Sequence, residues 1–270
     1  MPIGNVTRGT TGTNRLRRID RWIAAQPELR RAAHPLVVDL GFGGSAVTTL
    51  ELHERLAAVR PDVEVVGVEI DPERVALASA QLAAARLGEY AGGRFARGAR
   101  VSFVRGGFEV PTPGAPDVLR VLNVLRQYSE EEVAGHWERM RARLAPGGLL
   151  VEGTCDELGR ICCWVALGPE GPRTLTISLR LAALELPSIA AERLPKALIH
   201  RNVPGEGVHR LLEDLDRQWR IAAPLGAYGP VQRWLAVVRA LREAGWPVRD
   251  GVSRWRLGEI TVGWAAVAPR

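Results

Sequence analysis

A carboxylate and a group of glycines follow one another at the end of an apolar run early in the chain. Asp39 is the charged residue of the run 36–40, and Gly41, Phe42 and Gly43 come directly after that run. The order predicts a buried strand, a tight turn and a helix N-terminus, because glycine tolerates positive φ and lets a ligand approach the main chain. An ionised acid at this turn repels a pyrophosphate and suits a ligand that carries an ammonium group.

A second carboxylate, Glu69, ends another apolar run at 63–69. Asp71 and Pro72 then predict the N-cap and the first position of a helix. A carboxylate at the end of the second strand of such a fold can accept hydrogen bonds from both hydroxyls of a ribose. We therefore expect Glu69 to bind a ribose, with a structural salt bridge as the alternative.

A third feature favours one of two cofactor classes over the other. The segment 41–46 satisfies G-x-G-x-x-A, which alone leaves a nicotinamide-dinucleotide site open. Residues 144–148, however, read L-A-P-G-G before an apolar strand, a turn that dinucleotide folds rarely show. With Asp39 and Glu69, this turn makes residues 30–155 resemble the class I S-adenosylmethionine (AdoMet) methyltransferases. The resemblance implies an AdoMet-dependent enzyme.

The resemblance also implies a set of cofactor contacts. Asp39 would lie near the methionine moiety and Ile70 against the adenine. The segment 107–109 stands where the family commonly reads the adenine edge with a small–acidic pair, and Phe108 would stack on the base or contact its edge. The implied cofactor-binding residues are Asp39, Gly41, Phe42, Gly43, Glu69, Ile70, Gly107, Phe108 and Asn123.

Three polar residues follow the predicted fourth strand, 117–122, where the family passes the reactive methyl group. Asn123 can offer a carbonyl to the methyl hydrogens or to a substrate N–H, and Arg126 and Tyr128 would face the substrate. Packing or surface placement is the alternative for each. This segment lacks an N-P-P-Y-like motif, which argues against methylation of a nucleobase amino group. It also lacks a Pro-Cys pair and an acid with metal-ligand spacing, which argues against attack on a base C5 and against metal-dependent chemistry.

Other candidates for chemistry are weaker. None of the five histidines stands at a motif position, so a general base would come from His200 or His209 if one is needed. Cys155 ends the predicted fifth strand, as a nucleophilic cysteine does in some RNA methyltransferases, but a buried inert thiol is the alternative. The three cysteines favour a reducing cytosol, and their spacing predicts no metal site. We expect a cytoplasmic protein without a signal peptide or membrane span.

The charge balance suggests an anionic partner. The formal net charge is +6 and all but one of the 36 basic residues are arginine, although the composition is biased throughout. Five arginines precede residue 23, in a helix that Thr13 or Asn14 could cap and from which Arg17 and Arg21 would project. This segment predicts a solvated helix or a basic lid. We slightly favour RNA or another anionic acceptor; a small-molecule enzyme, a non-catalytic AdoMet-binding protein and an NAD-dependent enzyme are alternatives.

The pattern of elements predicts an α/β, Rossmann-like, doubly wound fold. Its mostly parallel sheet would carry an antiparallel C-terminal strand and a helical insertion over the mouth of the site. Strand-like runs at 161–167 and 174–181 predict a hairpin, and the later tryptophans fit core packing better than base stacking. The predicted parts are a basic N-terminal lid and helix at 1–30, an AdoMet-binding core at 31–182, the insertion at 183–255 and a final strand at 256–270.

Overall fold

Five parallel strands and three antiparallel strands form one sheet in the structure, a computed structural model that describes residues 2–270. The strands are β1 (Leu36–Leu40), β2 (Glu64–Glu69), β3 (Val101–Arg105), β4 (Val118–Leu122), β5 (Leu149–Cys155), β6 (Ile161–Gly168), β7 (Gly171–Leu179) and β8 (Glu259–Gly263). Their order is β3-β2-β1-β4-β5-β6-β7-β8. Neighbours from β3 to β5 run parallel, and β6, β7 and β8 each run antiparallel to the strand before. This confirms the predicted Rossmann-like class.

Helices cover both faces of the sheet. They are α1 (Arg17–Ile23), α2 (Pro27–Arg31), α3 (Val47–Ala57), α4 (Pro72–Leu87), α5 (Glu130–Arg141), α6 (Lys196–Ile199), α7 (Gly207–Ile221), α8 (Pro230–Glu243) and α9 (Val252–Trp255). Apolar residues of α1 to α4 form one core on one face, and those of α5 to α8 form a second core on the other. The sheet is therefore doubly wound. Strand order changes direction between β1 and β4, which opens a crevice at the carboxyl ends of these strands.

Local capping signals act as the sequence predicts in two helices. The Asp71 carboxylate accepts a hydrogen bond from Glu73 N–H at the start of α4, with Pro72 at the first position. Ser129 and Glu132 form a reciprocal capping box at the start of α5. By contrast, neither Thr13 nor Asn14 caps α1, which begins without a side-chain cap bond.

The segment 183–255, which the sequence predicts to lie over the mouth of the site, packs mainly on one face of the sheet. Its long helices α7 and α8 are amphipathic and bury their apolar sides, including Trp219 and Trp234, in the core against β6, β7 and β8. The two indole rings meet edge to face at 6.3 Å, and Trp234 Nε1 donates to the Glu259 carbonyl oxygen of β8. The helices lie there because their apolar sides and that face of the antiparallel strands cover each other. The core role predicted for these tryptophans is confirmed.

Candidate functional site

Glu69 lies beside the glycine turn at the carboxyl end of β2. Its Oε2 accepts a hydrogen bond from Gly43 N–H at 3.0 Å, and its Oε1 accepts one from Ile70 N–H at 2.9 Å. Arg74 Nη1 of α4 lies 3.7 Å from Oε2. The side chain is buried, and Oε1 also accepts from Asp71 N–H at 3.5 Å. Oε2 keeps a lone pair that can accept from a ligand hydroxyl.

Asp39 belongs to a buried ion cluster that the sequence interpretation missed. Arg120, opposite Asp39 on β4, donates to Oδ1 of Asp39 at 3.0 Å and to Oδ2 at 2.6 Å, and its Nη1 donates to Asp20. Burial alone would lower the pKa of Arg120, but the two carboxylates outweigh it and raise that pKa. A signal for this cluster was present, because Arg120 is a charged residue inside the apolar run 117–122. The negative charge of Asp39 is thus paired with the guanidinium of Arg120.

A cavity of about 470 Å³ lies over the glycine turn and the ends of β1 and β4. Its lining includes six of the predicted site residues: Asp39, Gly41, Phe42, Gly43, Asn123 and Arg126. It also includes residues 7–11 and Arg15, which precede the sheet, together with Glu157 and Arg193. Arg193 is the only residue of the described segment 183–255 that reaches this lining.

Arginines give this cavity a positive lining. The arginines that line it are Arg8, Arg15, Arg126 and Arg193. Two carboxylates also line it, Glu157 and Asp39, and Asp39 is paired with Arg120. Arg193 Nη2 lies 3.3 Å from Oε2 of Glu157, while its buried Nε has no hydrogen-bond partner. Burial and the charge of Arg193 lower the pKa of Arg126. An anion entering the cavity would therefore relieve repulsion between Arg126 and Arg193.

The remaining predicted cofactor residues line a much smaller space. Glu69, Ile70, Gly107 and Phe108 surround only about 20 Å³ at the ends of β2 and β3. The space is small because Ile3, Gly4, Asn5 and Thr7 of the chain itself line it. We call Ile3–Thr11 the N-terminal strap. It runs from the Gly107–Phe108 end of the groove to the glycine turn, where Gly44 N–H donates to the Gly9 carbonyl oxygen at 2.9 Å.

Tyr128 and Phe108 have surroundings that the sequence did not predict. Tyr128 lies at the small space, where its Oη accepts from Asn5 N–H at 2.5 Å, and it does not line the large cavity. Asn123, Arg126 and Gln127 line the large cavity, whereas Tyr128 faces the small space, so its role toward a substrate stays a prediction. The Phe108 ring is buried against His136 and Tyr128 at centroid distances of 4.1 and 5.4 Å. Its backbone N–H, rather than an open ring face, is offered to the groove.

Asn123 combines a backbone role with its place in the cavity lining. Its φ of 63° is a conformation that asparagine tolerates better than most residues. The side-chain Oδ1 accepts from Cys155 N–H at 3.0 Å, which ties the ends of β4 and β5 together. Cys155 itself is buried and does not line the cavity, as expected of an inert thiol.

Several other predicted residues lie away from the cavity. Arg17 and Arg21 are exposed on α1 and do not line it, whereas Arg8 and Arg15 do. His200 contacts Lys196, and His209 contacts Asn202 and Glu213, so neither is placed as a base for this cavity. A more open depression of about 690 Å³ lies between 179–192 and the start of β6, and none of the predicted site residues lines it.

Two absences concern the described residues 2–270 alone. No helix among them is long and apolar enough to cross a bilayer. No cluster of three or more His, Cys, Asp or Glu side chains suited to a metal ion occurs among them.

Comparisons with known proteins give no family by sequence. No family model matches the chain, and no curated protein matches it. Among solved structures, the chain is similar to human N-acetylserotonin methyltransferase in complex with SAM, with 20% identity and a TM-score of 0.35 over 51% of this chain and 33% of that one. It is also similar to magnesium protoporphyrin IX methyltransferase from Synechocystis PCC 6803 with bound SAH, with 21% identity and a TM-score of 0.37 over 51% and 53%.

A further structure of this kind is the N-methyltransferase NodS from Bradyrhizobium japonicum WM9, with 19% identity and a TM-score of 0.34 over 52% of this chain and 67% of that one. The chain thus spans from a third to about half of the length of the first two structures. The arrangement of this chain's own residues has to support any function.

Proposed function

We propose that the protein is an AdoMet-dependent methyltransferase whose acceptor is a small molecule with an anionic group. The observation that carries the proposal is the order of groups along one groove. Phe108 N–H and the Glu109 carboxylate stand at the end of β3, Glu69 at the end of β2, and the glycine turn opens into the large cavity. In this order along the groove, these groups match the adenine, the ribose and the amino-acid tail of AdoMet.

The donor set fits the nucleoside of AdoMet. A backbone N–H beside a carboxylate complements a base edge that has a ring-nitrogen acceptor next to an amino donor, as adenine has. Glu69 would accept from the ribose hydroxyls, and Ile70 would flank the base. Glu109 was missed as a site residue, although it follows Phe108 directly in the segment that the sequence singled out.

The chemistry required of the protein is mainly alignment. When bound, AdoMet supplies an activated methyl group on a sulfonium, so the acceptor needs correct orientation and exclusion of water. Gly41, Phe42 and Gly43 would let a ligand approach the main chain. Asn123 and Arg126 line the same cavity and would face the acceptor there. Asp39 is held beside the turn by Arg120 and would contact the amino-acid tail.

The charge distribution supports an anionic small molecule as the acceptor over RNA. The arginines of the cavity face a partly open space of about 470 Å³, which suits a metabolite-sized ligand. The exposed Arg17 and Arg21 lie outside this lining. A carboxylate or phosphate on the acceptor would satisfy the buried Nε of Arg193 and the neighbouring Arg126.

Calorimetric titration with AdoMet, S-adenosylhomocysteine and NAD tests the cofactor. The wild type should bind the first two, and Glu69→Gln should weaken both at least about tenfold because a charged acceptor of hydrogen bonds is lost. Glu73→Gln, an exposed change in the first turn of α4 and four positions after Glu69, is the matched control and should bind normally. Binding of NAD without AdoMet would refute the proposal.

A non-catalytic AdoMet-binding protein is the second candidate. The observation that favours it is that no histidine or cysteine of the described chain lines the large cavity. Incubation with methyl-labelled AdoMet and a mixture of small carboxylates and phosphates separates the two. Labelled product supports the enzyme, whereas tight binding without any product supports the second candidate.

A further inference from the structure

The N-terminal strap occupies the nucleoside end of the groove and leaves the other end open. About 20 Å³ remain around Glu69, Ile70 and Phe108, against about 470 Å³ over the glycine turn. A nucleoside cannot enter the smaller space while Ile3 and Gly4 lie in it. The same groups that fit AdoMet are therefore already in contact with another part of the chain.

The peptide groups of Ile3 present the same hydrogen-bonding pattern as the edge of an adenine. The Ile3 carbonyl oxygen accepts from Phe108 N–H at 2.8 Å, and Ile3 N–H donates to Oε2 of Glu109 at 2.7 Å. Adenine likewise offers a ring-nitrogen acceptor beside an amino donor. The close approach needs glycine at position 107, because a Cβ there would lie 2.1 Å from the Ile3 carbonyl oxygen.

Further contacts hold the rest of the strap in the groove. Asn5 N–H donates to Tyr128 Oη at 2.5 Å, and Arg74 Nη2 donates to the Thr7 carbonyl oxygen at 2.8 Å. The bond from Gly44 N–H to Gly9 uses a donor of the glycine turn itself. Groups from α4, the glycine turn and the segment after β4 thus bind one short segment.

We propose that the strap is an intramolecular competitor of the cofactor, in which the Ile3 peptide takes the place of the adenine edge until AdoMet displaces it. The inference rests on the proposed function. Its consequence is that the apparent affinity for the cofactor is reduced by the fraction of molecules in which the strap is bound. Cofactor binding and strap release are then one coupled equilibrium.

Variants of the strap test this coupling without altering the groove. Ile3→Pro removes the N–H that Glu109 accepts, and Gly4→Val places a Cβ 3.0 Å from Tyr128 Oη at a φ of +131°. Both should bind S-adenosylhomocysteine at least about fivefold more tightly than the wild type in calorimetry. Val6→Ala, at an exposed strap position, is the matched control and should bind like the wild type.

Hydrogen exchange of the protein gives the second readout. Addition of S-adenosylhomocysteine should accelerate exchange in the peptide that covers residues 3–11, because Ile3 and Asn5 N–H lose their acceptors. Slower exchange there, or unchanged affinity in both variants, would overturn the competitor and make the strap a lid that closes over the cofactor. Failure of the wild type and of both variants to bind any AdoMet analogue would overturn the proposed function, and the inference with it.

Discussion

The parallel and antiparallel halves of the sheet are used in different ways. In the parallel half, β3, β2, β1 and β4 all end at one edge, and their following residues form the groove and the large cavity. In the antiparallel half, β6, β7 and β8 carry buried apolar side chains against α7 and α8. Parallel strands leave the sheet at the same edge, whereas antiparallel strands alternate, so only the first arrangement gathers many loops at one place.

The two halves also differ in what they bury. The parallel half buries Asp20, Asp39 and Arg120 as an ion cluster beneath the cavity, and the antiparallel half buries indole rings. A buried charge requires its partner, while a buried ring requires mainly volume. Substitutions in the first half should thus change stability and binding together, and those in the second half should change stability alone.

The largest expected effect comes from breaking the ion cluster. Arg120→Leu removes the cation paired with the buried Asp39 carboxylate and one of the two arginines at Asp20, which keeps Arg55. The free energy of unfolding should fall by about 3 to 5 kcal/mol in urea titrations. Arg100→Leu, the same substitution at an exposed arginine, should alter the free energy of unfolding by less than about 0.5 kcal/mol. Asp39→Asn combined with Arg120→Leu should recover part of the loss. A fall below about 1 kcal/mol in Arg120→Leu would show that the cluster does not require its cation.

A buried carboxyl at the boundary of the two halves gives a pH-dependent effect. Burial raises the pKa of Glu152 on β5 to about 8, whereas an unfolded chain ionises it near 4.5. Between these values the unfolded state binds fewer protons, so this residue lowers the free energy of unfolding by about 1.4 kcal/mol per pH unit as pH rises. Glu152→Gln should remove that slope.

The measurement for Glu152 is the difference between urea titrations of wild type and Glu152→Gln from pH 5 to pH 9. The variant should gain relative stability up to about pH 8 and no more beyond it. Glu259, whose pKa burial raises to about 7, is present in both proteins and cancels in the difference. A difference that does not vary with pH would contradict the raised pKa of Glu152.

A smaller effect is expected from the core of the antiparallel half. Trp234→Phe loses volume and the bond to the Glu259 carbonyl oxygen, so the free energy of unfolding should fall by about 1 to 2 kcal/mol. Affinity for S-adenosylhomocysteine should not change when titrated under conditions where the protein is folded. Tyr228→Phe, at an exposed position, is the control. Weakened cofactor binding in Trp234→Phe would erase the distinction between the two halves.

The smallest effect concerns the acceptor side of the cavity. Arg193→Gln should raise KM for an anionic acceptor by about tenfold and leave kcat nearly unchanged, because it removes a binding charge rather than a group at the methyl. Arg17→Gln on the exposed side of α1 should leave both constants unchanged. Steady-state methyl transfer at two salt concentrations measures this. Equal effects of the two substitutions would argue for a diffuse charge field instead of a site.

Much of the fold could be predicted from the sequence because its signals are local. The glycine turn after β1, the Asp71 cap and the hairpin of β6 and β7 follow from residue types within a few positions of each other. Glu69 and the glycines lie together as expected, since they end neighbouring parallel strands. The site could be predicted in part for the same reason, because neighbouring parallel strands end at the same edge of the sheet.

Local sequence signals therefore suffice for the set of elements and for the strand ends that carry polar groups. The pairing of Asp39 with Arg120, 81 positions away, and of Ile3 with Glu109, 106 positions away, depends on the folded chain. The folded chain also determines that the apolar sides of α7 and α8 cover β6 to β8. Periodicity and capping act within a few residues, whereas the choice of partner for a charge, a peptide group or an apolar face depends on all surfaces that the folded chain brings together.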